Sequence, residues 1–189
     1  MDTYEAIQRR ASVRSFRPVQ VPREALERVL AAAVRAPNHK LTEPWRFAVL
    51  TGVSLKRFAE IRRAHRAKRF DDPADPQSAK AIEKTHREAL ETPAFIVVMC
   101  AVPDDAVRRE EDYAATMMAV ENLLVAATAE GLGSYVRTGG IMELPELKAL
   151  VDLSSGYRIA AVVSLGYAAE AKDPTPRKKP LAELVRWMD

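Results

Sequence analysis

The chain has 189 residues, 48% of them hydrophobic and 29% charged, with a formal net charge of +3. That length supports one compact domain, expected over 1–189, and so mild a charge gives no push toward nucleic acid. A single cysteine, Cys100, excludes an internal disulfide and a cysteine-based metal site. The segment Met1-Asp2-Thr3-Tyr4-Glu5 lacks the basic-then-apolar pattern of a signal peptide, which sets the expectation of a cytoplasmic protein. The most apolar long stretch, 113–129, contains Glu121 and is flanked by Asp112 and Glu130, so no membrane span is expected.

In chain order, Asp2 or Thr3 can cap a short helix to about Arg9, and the segment from Arg10 to Val21 reads as extended. Pro22 suits the first position of a helix, and Leu26, Val29, Leu30, Ala33 and Val34 recur at helical spacing as far as Arg35. Pro37 to Pro44 is a loop, and Trp45 to Leu50 a strand. Ser54 is placed to cap a helix to about Phe70, whose dense basic residues (Arg57, Arg62, Arg63, Arg66, Lys68, Arg69) read as a solvated outer face. Asp71 to Pro76 breaks the chain before a helix over 78–90. The continuous apolar run from Ala94 to Val102 predicts a central strand buried on both faces. The spacing then predicts a long helix over 112–130, apolar nearly all round, which needs cover on most sides and so points to a second subunit. Gly131 stops it. A short strand over 134–138, a short helix over 145–151, a strand over 158–167, an extended proline-rich tail and a final helix over 181–188 complete the chain. Long helices on a modest sheet suggest an α+β layered fold.

Two segments carry candidate chemistry. In extended chain Arg10, Ser12 and Arg14 point to one side, and two guanidinium forks around a hydroxyl form a receptor for phosphate or another anion. The same spacing also fits surface arginines beside a turn. The loop from Arg35 to Trp45 is framed by Pro37 and Pro44 and leads straight into a strand, a usual place for a binding site. His39 in that loop could contact a ligand, act as a general acid or be a plain loop residue. Glu121 and Asn122 lie inside the apolar helix, where an unpaired carboxylate is costly, so Glu121 needs a partner or a cavity. Gly131-Leu132-Gly133 follows a helix instead of a strand and does not predict a phosphate cradle.

Arg10-x-Ser12-x-Arg14 with Phe16, Ala36-Pro37, Pro44-Trp45-Arg46-Phe47, Glu130-Gly131-Leu132-Gly133, Leu165-Gly166-Tyr167 and 178–185 form an ordered set over nearly the whole chain. Together they resemble the nitroreductase family of FMN-dependent oxidoreductases, in its minimal bacterial branch. Many members carry a Ser and an Asn in the second loop, where Asn38 and Leu41 stand here, which favours Arg35 and His39 as contacts. The resemblance implies an α/β/α layered fold, a mixed central sheet flanked by helices, and an intertwined homodimer with FMN at the subunit interface. It implies that Arg10, Ser12, Arg14 and the Ala11 backbone hold the phosphate and ribityl chain, that Val136, Arg137 and Thr138 approach the flavin, and that Arg35 and His39 come from the partner subunit. Lys178 matches the C-terminal phosphate ligand, with Arg177 as substitute.

The activity implied is ping-pong transfer from NADH or NADPH through FMN to a nitroaromatic, quinone or other electron-poor acceptor, with no catalytic acid or base required of the protein. The alternatives are a specialised flavin enzyme, either a reductive dehalogenase or a flavin-fragmenting one, and a nucleic-acid-binding module built on the basic helix. Neither a metal, a membrane nor a nucleic acid is expected as partner.

Overall fold

The computed structural model describes residues 1–174, 176 and 179–188. Helix α1 (Thr3–Arg9) starts where the Asp2 carboxylate accepts the Glu5 N–H at 2.9 Å, and α2 (Arg23–Ala33) follows Pro22. Strand β1 (Trp45–Leu50) leads into α3 (Gly52–Ala67), and α4 (Pro76–Leu90) begins where Asp75 accepts two backbone N–H groups. Strand β2 (Ala94–Ala101) precedes α5 (Ala106–Ala129), then β3 (Gly133–Arg137), α6 (Pro145–Leu150) and β4 (Tyr157–Gly166).

Three expectations shift. Helix α3 starts at Thr51 as N-cap, with Ser54 one turn inside accepting the Thr51 N–H at 3.1 Å. Helix α5 begins at Ala106, because Asp105 caps the Arg108 N–H at 2.7 Å; its polar first turns hide that start from a hydrophobic pattern. The final helix does not form. Only a 3-10 turn, Leu181–Glu183, is present, and Leu181, Leu184, Trp187 and Met188 are exposed. Eight residues are too few for an isolated helix, and among the described residues no surface covers their apolar side.

The sheet runs β1-β2-β4-β3, all antiparallel, with Val97 opposite both Ala48 and Val162. The parallel pairing expected of a mixed sheet is confined to a bridge between Ser12 and Ser134. As its apolar run requires, β2 is buried on both faces. Leu26, Val29, Leu123, Val98 and Val163 join α2 and α5 to one face. Phe58, Phe95, Leu147 and Ile159 join α3 and α6 to the other, with the Phe58 and Phe95 rings edge to face at 4.8 Å. The result is the α/β/α layering of an α+β protein. Among the described residues no helix is long and apolar enough to cross a membrane.

Candidate functional site: a cationic edge and a strained loop

The extended Arg10–Arg14 segment lies along β3, the edge strand. Ser12 bridges Ser134, and the Val13 N–H donates to the Ser134 carbonyl at 2.9 Å. Ala11 and Val13 turn inward; Ser12 is half-buried and Arg14 exposed, as alternation requires. Gly133 permits this approach, since a Cβ there would lie 2.8 Å from a Val13 methyl group. It is thus a packing glycine, while Gly131, at φ +74°, stops α5.

Strand alternation then divides β3. Val136 packs into the α2/α5 core, so it offers only its backbone to a ligand. Tyr135 and Arg137 face α3. The Arg14 guanidinium sits 4.9 Å from the Tyr135 ring centroid and donates to its hydroxyl oxygen at 3.2 Å. Arg137 sits 4.5 Å from the same centroid and donates to Ser164 Oγ. Burial, then the nearby Arg62 cation, push Arg137 down to about 10, so it stays charged at neutral pH. Thr138 follows, exposed, at the strand's end. Arg10 turns the other way, with Nε 3.7 Å from Glu121 Oε1 on α5. Glu121 is therefore not buried in this chain. It stands partnered on the exposed side of α5, beside Met118.

The second loop is strained. Lys40, Leu41 and Glu43 have φ of 54°, 51° and 42°, a left-handed region that non-glycine residues rarely adopt. Side chains hold it there. Asn38 Oδ1 accepts the Glu43 N–H at 2.9 Å, Thr42 Oγ1 donates to the buried Asp112 at 2.7 Å, and His39 Nδ1 lies 2.8 Å from Glu111 Oε2. Arg35 is exposed at the head of the loop. Arg10 and His39 thus grip α5 at positions 121 and 111, about 15 Å apart along the helix at 1.5 Å per residue. Lys178 and its substitute Arg177 lie outside the described residues.

Tyr135, Glu111 and Arg62 were not singled out as site residues from the sequence. Tyr135 stood within a strand already matched to the flavin, and Glu111 lay before the predicted start of α5. Arg62 was assigned to a solvated face, yet it is buried against Phe95, its guanidinium 5.9 Å from the ring centroid.

Fold and site define an α+β protein whose sheet edge carries the cations Arg14 and Arg137 on Tyr135, with Arg10 turned toward α5, donors that suit an anionic cofactor. The chain belongs to the nitroreductase family, whose model matches residues 7–167. It is 29% identical over 184 residues to the Bacillus subtilis (strain 168) protein YfhC, named as a candidate NAD(P)H nitroreductase; the match covers 95% of this chain and 93% of YfhC. A nitroreductase-like protein from Bacillus cereus superposes with a TM-score of 0.84 at 29% identity, over 100% of this chain and 97% of that one. The FMN- and NADPH-dependent nitroreductase NfnB from Sphigopyxis sp. strain HMH shares the fold, with a TM-score of 0.81 at 20% identity over 100% of both chains.

Proposed function

We propose that this chain is an FMN-dependent NAD(P)H oxidoreductase, one cytoplasmic domain over 1–189 that acts as a homodimer with each flavin site shared between copies. The observation that carries the reading is the Arg10–Arg14 segment, fixed on β3 so that its polar side chains alternate outward from Ala11 and Val13. These donors fit a phosphate: Arg10, Ser12 and Arg14, with the Ala11 backbone, would hold the phosphate and ribityl chain. Arg137, Thr138 and the Val136 backbone would border the ring, and Lys178 would add a cation from the tail. When bound, FMN supplies the redox chemistry, taking hydride from NADH or NADPH and passing electrons to a nitroaromatic, quinone or other electron-poor acceptor. The protein's part is to bind, orient and hold positive charge where negative charge develops. Arg14 and Arg137, both stacked on the Tyr135 ring, are preorganised for that role.

Two observations support the shared site. Within one chain, Arg10 and His39 are too far apart along α5 to meet on one small group. Beyond the Arg10 anchor α5 is apolar and open: Ile7, Ala126 and Val125 line a groove of about 620 Å³ with Arg35 and Glu121. A second copy laid on it would cover Met118 and Ile7, and would offer a surface to Leu184 and Trp187 of the tail. Arg35 and His39 would then enter the partner's site. Helix α3, the basis for a nucleic-acid module, turns Arg62 inward, and beside it Arg63 pairs with Glu60 and Lys68 with Glu146.

The purified protein should be yellow, with absorbance near about 450 nm that bleaches on adding NADH or NADPH. A colourless protein that cannot be loaded with FMN overturns the reading. Mixed dimers of Arg10→Ala and His39→Ala chains should regain one intact site of two. No recovery would mean that both residues serve the same chain's site.

A further inference from the structure

Between the C-terminal half of α3 and the end of β3 lies a cleft of about 350 Å³. Arg62, His65 and Arg66 line it from one face of α3, Arg69 from the turn that follows, and Arg137 and Thr138 line the opposite wall. No carboxylate lines it. The distribution of ion pairs sharpens the contrast. On the outward side of α3, Arg63 lies 3.6 Å from Glu60 and Lys68 lies 3.6 Å from Glu146. Arg62, Arg66, Arg69 and Arg137 form no ion pair among the described residues.

Arg62 makes the cleft more than a basic surface. It is only 9% exposed, and its Nη1 has no hydrogen-bond partner among the described residues. A buried guanidinium N–H left unmade costs more than a neutral one, so a native fold retains it where a ligand completes it. Helix polarity accounts for cations in the last turn of α3, but not for a buried one at position 62. Glu88 acts on Arg62 and Arg137 only at a distance.

Arg62, Arg66 and Arg69, three guanidinium groups with no bound counter-charge, suit a phosphomonoester dianion, whose oxygens arginine forks bind through paired N–H···O bonds. Arg137 and Thr138, at the far wall of the cleft, are the residues the proposed function sets beside the flavin ring. A ligand that reaches both places carries a phosphate remote from its reacting end. We propose that the α3–β3 cleft binds the 2′-phosphate of NADPH and so makes this enzyme select NADPH over NADH. The inference rests on the FMN-dependent reading. The other source of the same chemistry is the phosphate of the flavin itself.

The test is direct binding to the FMN-loaded protein by calorimetry. 2′,5′-ADP should bind at least tenfold tighter than 5′-AMP. The double variant Arg66→Gln/Arg69→Gln should erase the difference, and Arg63→Gln, on the outward side, should keep it. The variants leave Arg62 in place so that the fold is not put at risk. Equal binding of the two nucleotides by the unsubstituted protein overturns the proposal. So does loss of flavin from the double variant at unchanged melting temperature, which assigns the cleft to the FMN phosphate. Failure of the underlying function looks different: the nucleotide preference would persist, but neither NADH nor NADPH would bleach the flavin.

Discussion

The Arg10–Arg14 segment and the Pro37–Pro44 loop are both short, irregular and cation-bearing, yet they are held by opposite means. The first borrows regularity from the sheet. Its backbone pairs with β3, its apolar residues fill the space that Gly133 leaves, and none of its residues has a positive φ. The second has three left-handed residues and is tied down by side chains that reach α5. A segment templated on a strand makes a fixed receptor. A strained loop clipped to a helix stays in place only while its clips do, and its side chains are set by α5 and whatever packs on α5.

The contrast breaks most readily at Gly133. Gly133→Val puts a branched side chain where Val13 already stands, so the Arg10–Arg14 segment must leave the sheet. Overpacking of this kind costs about 3 kcal/mol, read as a lower urea midpoint, and flavin content should fall to background. If Gly133→Val retains flavin, the segment is not the receptor. Next in size, Arg14→Ala removes a charged donor but leaves the backbone pairing. The dissociation constant for FMN should rise roughly 10–100-fold, with the melting temperature nearly unchanged, as fits about 1.5–3 kcal/mol for hydrogen bonds to charged groups.

The loop answers in the other direction. Lys40→Gly relieves a left-handed residue and should stabilise the protein by about 1 kcal/mol in chemical denaturation. Destabilisation instead would show that the loop stores no strain at Lys40. The smallest effect lies away from both segments, where Arg28 holds Glu130 at the end of α5 by bonds of 2.9 and 2.7 Å. The hydrogen bond from Arg28 keeps the Glu130 carboxyl below its ordinary value of 4.5. That stabilisation is present above 4.5 and fades as pH falls through the lowered value. Glu130→Gln should therefore narrow the gap between denaturation midpoints at pH 7 and pH 3.5 by a small but measurable amount, since the pair is exposed.

Much of the fold was legible because its signals are local. The run from Ala94 to Val102 reads as a doubly covered strand, Asp2 marks a helix start, and Gly131 a helix stop, whereas the start of α4 at Pro76 reads as a breaker. The start of α5 was missed because its first turns are polar, and the 181–188 helix was expected because amphipathic spacing says nothing about whether a partner surface exists. The candidate site was legible at Arg10, Ser12 and Arg14 for a similar reason: alternation in extended chain is a property of the backbone. Arg62 was not, because one face of a basic helix looks like another until the sheet is placed against it.

By itself, then, the sequence determined the strands, most helices, the alternation of Ser12 and Arg14 with the inward Ala11 and Val13, and the family. Those follow from short-range periodicity and from the ordered residues themselves. Only the tertiary structure decided that Arg14 meets Tyr135, that His39 leans on Glu111, and that Arg62, buried and with no partner for Nη1 among the described residues, lines a cleft. Arg14 and Tyr135 are 121 positions apart and His39 and Glu111 are 72 apart, and chain folding, not local preference, brings such residues together.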